Sequence, residues 1–490
     1  MSTPKVLSPL APERLGGRAP DMIAVDEAMA RVVATFSPLG EYERVPLLEA
    51  LGRVLVEDVP ADMNIPPFDN TAMDGYAVRA EEVATATDRK PAVLRVLGEV
   101  AAGRVAAQPV GRGETYRILT GAPLPPGADT VVPYENTDGR GFGGWTGVAG
   151  SELAAQEREV RVFRAVERGD NVRYAGEDQK QGEVVVRASS VVRPAEVGVL
   201  ASLGRTQVWV YRRPRVAVLS TGDEVVPVDQ PLQLGQIRNA NSWSLMALIR
   251  HYGGEPLDLG IAPDRPKAVR AGLLQGVAQG ADLLLTSGGV SMGDYDVVKQ
   301  VLQEEGEIAF WSIDMRPGKP LAFGQVRGVP IMGLPGNPVS SMVTFELFAR
   351  PAMLRLAGHQ RVRKVEVVAT AQHVISNRSG RENFMRGVVE RRVAPPLAGG
   401  RMLRSAQHDS GTAGHDGGAD REASRRNGGV ADPAPAPAPE WTVRLTGEQG
   451  SGILTSMVKA NALVRVPKSR TRIEAGEPVP VLMLDWSPLE

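Results

Sequence analysis

The sequence predicts a multidomain α/β protein, with a doubly wound parallel-sheet domain, β-rich domains and a C-terminal β-barrel-like domain. Three observations predict it. The chain has 490 residues, too many for one hydrophobic core. Between residues 208 and 360, short apolar runs alternate with helical patterns at intervals of roughly 30 to 40 residues, as parallel strands with crossover helices require. On either side of that section, short β-like runs are punctuated by glycine and proline, which number 54 and 38.

The elements follow in chain order. Val25, Ala28, Met29, Val32 and Val33 fall at helical spacing after Asp21 and Asp26, which suit a helix start. Pro46 and Gly52 limit the next stretch to short pieces. In IPPFDNTAMDGYAVR, two prolines stiffen the entry, and Asp69 and Asp74 flank a polar turn. On these residues alone, turn capping is the better reading of both acids. From Val93 to Val186 the runs are β-like, with Thr120 and Gly121 at a strand end and Glu177 and Asp178 in a loop. Each of these also fits a plain hairpin corner. Gly139–Gly150 reads as a mobile loop, and Pro194–Leu203 as a helix.

The α/β section opens with a strand through Val216–Leu219 and the turn STGDE. A helix follows, with Asn239 or Asn241 as N-cap, an apolar stripe through Leu245, Leu248 and Ile249, and Gly253 after its end. A strand, a loop holding Asp264 and a second helix lead to ADLLLTSGGVSMGDYDVVKQVLQE. There Leu283–Leu285 suit a strand buried on both faces, and Gly288 and Gly289 a tight turn. Gly293 allows a further close approach. Ser291 or Asp294 can cap a helix that begins near Tyr295 and carries Val297, Val298, Val301 and Leu302 as one stripe. In GLPGNP, Asn337 suits an N-cap, Pro338 a first helical residue, and Gly336 a close ligand. The turns STGDE, TSGGVSMGD and GLPGNP all face the carboxyl edge of the sheet, where anions bind. An ordinary βα turn is the alternative for TSGGVSMGD. After Arg361 the runs are β-like again, interrupted by a low-complexity stretch from about Ala394 to Glu440 that lacks the apolar residues to fold.

Composition excludes several classes. Lys+Arg 56 against Asp+Glu 57 leaves a net charge of −1, with no general attraction to nucleic acid or an anionic membrane. No run is apolar enough to span a bilayer, and the N-terminus lacks a signal-peptide core, so a cytoplasmic location is expected. There is no cysteine, and none of the five histidines has zinc-motif spacing. Chemistry must then use carboxylates, Lys, Arg, hydroxyls and backbone N–H groups. Carboxylates beside phosphates suggest a hard cation, usually Mg²⁺.

Seven motifs in order, PPFDNTAMDGYAVR, TGAPLPPGAD, GEDQKQGEVV, STGDEV, TSGGVSMGDYD, MRPGKP and GLPGNPVSSMVTF, closely resemble the molybdopterin molybdenumtransferase family, which includes the E domain of gephyrin. The resemblance covers about Asp21 to Leu484 except the low-complexity stretch. It implies a sheet domain of the molybdopterin-binding type and a protomer of four domains. The expected organisation is a flexible N-terminus over 1–20, an elongated linking domain from 21–60 and 176–207, and a β-rich domain over 61–175. The α/β domain then covers 208–360, and a C-terminal β-domain 361–490 with a disordered insertion at 394–440.

The activity implied is insertion of molybdate into adenylylated molybdopterin with release of AMP, assisted by Mg²⁺. Molybdopterin adenylyltransferase and a non-enzymatic scaffold are the alternatives. A homodimer with a shared active site is implied, in which the β-rich region of one protomer completes the site of the other. The adenylyltransferase and molybdoenzyme maturation proteins are the implied partners, with no nucleic acid and no membrane. By the same resemblance the catalytic set is Asp74, Asp178, Glu224, Asp264, Asp296, Arg316 and Lys319, with Asp74, Glu224 and Asp264 on the metal. The substrate-binding set is Thr120, Gly121, Ser220, Thr221, Gly222, Ser287, Gly288, Gly289, Ser291, Gly293, Pro317, Gly318, Pro335, Gly336, Asn337, Pro338, Arg386 and Ser451. Backbone N–H groups at Gly288, Gly289, Ser291, Gly336 and Asn337 are the expected phosphate cradle. Where the family often carries lysine, this chain has Ser312 and Arg316, the latter a planar fork in place of a point charge.

Overall fold

Leu283–Ser287 is buried at every position, as an apolar run inside a two-faced sheet must be. In this computed structural model, which describes residues 22–139, 159–289, 297–391 and 441–484, that strand lies inside a six-stranded sheet. The order is Glu255–Ala262, Arg215–Thr221, Leu283–Ser287, Val329–Leu334, Pro320–Val326, Gly306–Ser312. The first four are parallel, Pro320–Val326 runs opposite to them, and Gly306–Ser312, antiparallel to Pro320–Val326, runs with the first four again. The sheet is therefore mixed, and not parallel throughout as the alternating pattern predicts. The cause is local: only Arg327 and Gly328 join Pro320–Val326 to Val329–Leu334, and both have positive φ. That is a two-residue hairpin turn, too short for a crossover.

Helices cover both faces. Ala217, Leu219 and Leu284 pack with Val269, Leu273, Val298 and Val301 on one side. On the other, Val216, Val218, Leu283 and Leu285 join Leu245 and Ile249 in a larger core. The predicted stripe Val297, Val298, Val301, Leu302 is buried, while the caps proposed at Ser291 and Asp294 lie outside the described residues. The larger core takes in Val25, Ala28 and Val32 of helix Val25–Thr35, the buried helix Pro338–Thr344 and its continuation, and Phe384, Leu463 and Leu482 of the C-terminal region.

Those C-terminal strands close on themselves. Glu382–Arg391 pairs Trp441–Leu445, which pairs Glu366–Ala371, then Pro478–Met483, then Ala462–Val466, which returns to Glu382–Arg391. Met315–Arg316 adds to this barrel beside Glu382–Asn383. The low-complexity stretch and the N-terminal 20 residues lie outside the described residues.

Residues 41–211 form a separate compact unit. Its main sheet runs Thr130–Pro133, Gly75–Val78, Glu114–Ile118, Ala92–Val100, Glu159–Val162. A second core, with Val45, Leu55, Leu200 and Val210, lies where Tyr42–Pro46 pairs Gln207–Tyr211 and helix Pro194–Ser202 packs. Most of the loop predicted at Gly139–Gly150 lies outside the described residues.

Candidate functional site

The three sheet-edge turns leave the strands at one level, because Ser220 stands opposite Ser287 and Ser287 opposite Leu334. They touch each other. The Gly288 N–H donates to the Leu334 carbonyl at 3.1 Å. A Cβ on Gly288 would lie 2.7 Å from the Thr221 carbonyl oxygen, and its φ of 97° is one that only glycine adopts freely. The expected role of the Gly288 N–H in a phosphate cradle is thus corrected: that hydrogen is committed within the fold. The N–H groups of Gly289, Gly336 and Asn337 have no backbone acceptor among the described residues.

Helix Ala240–His251 begins against these turns. Asn239 is its N-cap and accepts from the Ser242 N–H at 3.2 Å. The Ser220 hydroxyl donates to Asn239 Oδ1 at 2.8 Å and lies 2.7 Å from the Ser242 hydroxyl. Asn241 Nδ2 donates to Ser287 Oγ and to the Gly336 carbonyl, both at 2.8 Å. The cleft so formed holds about 510 Å³, with Thr221, Gly222, Glu224, Asp264, Gly289 and Asn337 among its walls. The Thr221 hydroxyl is buried beneath the Gly288–Gly289 turn and has no hydrogen-bond partner among the described residues. Ser220, Ser287, Pro335 and Pro338 also line the cleft.

One wall is acidic. The Asp264 N–H donates to Asp223 Oδ1 at 3.2 Å. Burial first, then the neighbouring Asp223 and Glu224 charges, push the Asp264 carboxyl above its ordinary value. A cation would relieve this crowding. Among the described residues no three acids or histidines converge on one point.

A cationic patch lies at the barrel. Arg386 is almost fully buried, its Nε donating to Ser456 Oγ at 2.9 Å and its Nη2 to the Gly450 carbonyl at 3.1 Å. Burial first, then the charge of Arg316, bring its pKa down to about 10. Two guanidinium groups near one another favour an anion between them. Arg316 is exposed at the end of its pairing with Asn383, and Pro317 and Gly318 after it are buried. Lys319 is half-buried and fixed through its carbonyl, which accepts from the Ile313 N–H at 2.8 Å. The Ser451 carbonyl accepts from the Val339 N–H at 3.1 Å. Asn337 occupies the predicted N-cap position without making the side-chain bond, so a residue of the barrel region caps that helix instead.

In the unit 41–211, Asp74 Oδ1 accepts from the Thr120 N–H at 2.6 Å and from its hydroxyl at 2.7 Å, beside the exposed Gly121. Asp69 and Glu177 tie turns by accepting from Ala175 and Tyr174 N–H groups. Asp178 is exposed, and its N–H donates to the Ile65 carbonyl at 3.0 Å. Ser291, Gly293 and Asp296 lie outside the described residues. The sequence reading passed over Asp223 and the linking role of Asn241. Asp223 sits inside the STGDEV motif and Asn241 was weighed only as an N-cap, which was the available signal.

Comparison with known proteins agrees with this architecture. The model of the MoeA N-terminal region (domain I and II) matches residues 23–204. A probable molybdopterin binding domain matches 217–355, and the MoeA C-terminal region (domain IV) matches 436–484. The chain is 36% identical over 371 residues to a molybdopterin molybdenumtransferase of Haemophilus influenzae, covering 75% of this chain and 86% of that one. It is 37% identical over 379 residues to molybdopterin molybdenumtransferase 2 of Mycobacterium tuberculosis, covering 76% and 89%. The crystal structure of the molybdopterin biosynthesis moeA protein from Pyrococcus horikoshii OT3 superposes with a TM-score of 0.70 at 29% identity, over 94% of this chain and 100% of that one. The match runs through the edge turns, the barrel and the separate β-rich unit alike, and the chain belongs to the molybdopterin molybdenumtransferase (MoeA) family.

Proposed function

We propose that this chain is a molybdenum insertase, transferring molybdenum from molybdate to adenylylated molybdopterin and releasing AMP. The observation that carries it is the cleft at the three turns, where the Gly289, Gly336 and Asn337 N–H groups, with no backbone acceptor among the described residues, stand beside the acidic wall of Glu224 and Asp264. Its family supplies the reaction class. The Gly289, Gly336 and Asn337 N–H groups hold the phosphates. Glu224 and Asp264 hold Mg²⁺, which when bound supplies charge neutralisation at the anhydride. Arg316 and Arg386, with Lys319 and Ser451, hold the oxoanion and stabilise charge that develops as the phosphate leaves.

The reading includes a homodimer in the cytoplasm, in which the Asp74–Thr120 turn and Asp178 of one protomer complete the cleft of the other. Within a single chain, Asp74 and Thr120 already form a preset acceptor–donor pair. Purified protein with adenylylated molybdopterin, Mg²⁺ and molybdate should release AMP only when molybdate is present and should yield active cofactor. Release of AMP indifferent to molybdate refutes the assignment. Consumption of ATP to adenylylate molybdopterin would move the chain to the adenylyltransferases.

A further inference from the structure

We infer that Asn241 is a positioning residue that sets the spacing of two ligand-binding turns, and that nucleotide affinity depends on it. The inference rests on the nucleotide reading of the cleft given above. One amide nitrogen bridges two turns that are far apart in sequence: Nδ2 donates to Ser287 Oγ and to the Gly336 carbonyl, each at 2.8 Å. Ser287 ends a central strand and leads into the Gly288–Gly289 turn, while Gly336 belongs to the turn before Pro338. The two backbones are close here, since a Cβ on Gly336 would lie 3.6 Å from Gly288 Cα.

The Gly336 carbonyl also fixes the orientation of the amide. A carbonyl can only accept, so the group that faces it must be the NH₂ end. The flipped rotamer would set oxygen against oxygen at Gly336 and lose that bond, leaving only a hydrogen bond from the Ser287 hydroxyl. Both hydrogens of the amide are therefore spent on the protein. The Asn241 side-chain oxygen accepts from nothing among the described residues, and Asn241 lines the cleft. The residue thus holds the turns with its nitrogen and keeps an oriented acceptor toward the ligand.

Helix Ala240–His251 carries this clamp at its first turn, and it is held independently by Asn239 and Ser242. Loss of Asn241 should therefore free the turns without unravelling the helix. The neighbouring N–H groups of Gly289, Gly336 and Asn337 act on a phosphate only while their spacing matches it.

Titration calorimetry with AMP and Mg²⁺, alongside thermal melting, tests this on the full-length protein. N241A should weaken AMP binding by about tenfold or more with a small change in melting temperature. N241D should weaken it further, because it keeps the size but places a carboxylate oxygen against the Gly336 carbonyl. S287A removes one of the two bonds and should fall between the parent and N241A. In the double variant N241A/S287A, the second change should cost little more than the first alone, as expected for two groups acting through one bond. AMP affinity within twofold of the parent in both N241A and N241D overturns the inference. Should either variant fail to fold, S287A with unchanged AMP affinity overturns it equally. Failure of the parent protein to bind AMP overturns the nucleotide reading and this inference together, whereas binding by the parent that ignores Asn241 overturns this inference alone.

Discussion

Asp264 is a single carboxyl whose surroundings oppose its ionisation. Its folded pKa lies above the ordinary 3.8, so the folded state holds its proton to higher pH than the unfolded chain does. Ionisation of this group opposes folding, and stability declines as pH rises through the window above 3.8. D264N should therefore melt no lower than the parent at pH 7, yet lose Mg²⁺-dependent AMP release by at least ~10-fold. Equal loss of melting temperature and turnover would make Asp264 a structural group. A contrasting residue is Glu346, fully buried and 2.8 Å from the equally buried Lys364, with the Tyr252 hydroxyl donating to both carboxylate oxygens. E346Q should cost about 3–5 kcal/mol in denaturant unfolding, since it removes the carboxylate that neutralises a buried ammonium. Replacing both partners with apolar residues should cost much less, because no charge is then left alone.

Helix Pro194–Ser202 illustrates what an element owes to its first turn. The Arg193 N–H donates to Glu196 Oε2 at 2.9 Å, and the Arg193 side chain pairs with the same carboxylate. That pairing with Arg193 holds the Glu196 pKa down to about 2. The bond therefore supports folding fully above about 4.5 and is lost as pH falls through about 2. E196Q should weaken the helix by about 0.5–1 kcal/mol at neutral pH and abolish that acid sensitivity, as circular dichroism across pH 2–7 would show. At the sheet edge, G288A forces a Cβ onto the Thr221 carbonyl and should weaken AMP binding more than it lowers the melting temperature. Capping at this scale was legible where the partner is local, as with Asn239 and Ser242. It was not legible for Pro338–Thr344, because the group that caps it, Ser451, comes from another part of the chain. The hairpin at Arg327–Gly328 could be read from its glycine, yet the alternation of strand and helix masked it.

For the whole molecule, apolar patterning was enough to reveal the wound sheet and the β-rich sections, because burial on two faces leaves a strong mark. Closure of the C-terminal strands was written in their regular spacing only weakly, and the burial of Arg386 hardly at all, since an arginine in a sequence reads as surface. The shared-site homodimer proposed above makes a quantitative prediction at this scale. D74N and E224Q homodimers should each be inactive. Mixed subunits should regain about a quarter of parent AMP release, because half the dimers are mixed and each then has one intact site. No recovery on mixing would place each site within one protomer.

The register of the barrel has a practical consequence. Arg391 stands directly opposite Trp441 in neighbouring antiparallel strands, so the chain leaves and re-enters the barrel at a single rung. Whatever is spliced between those two positions adds length without asking any strand to shift. A fluorescent reporter placed there, or a short turn joining the two ends, should leave the melting temperature where it was, and this rung becomes a convenient handle for following the enzyme in living cells.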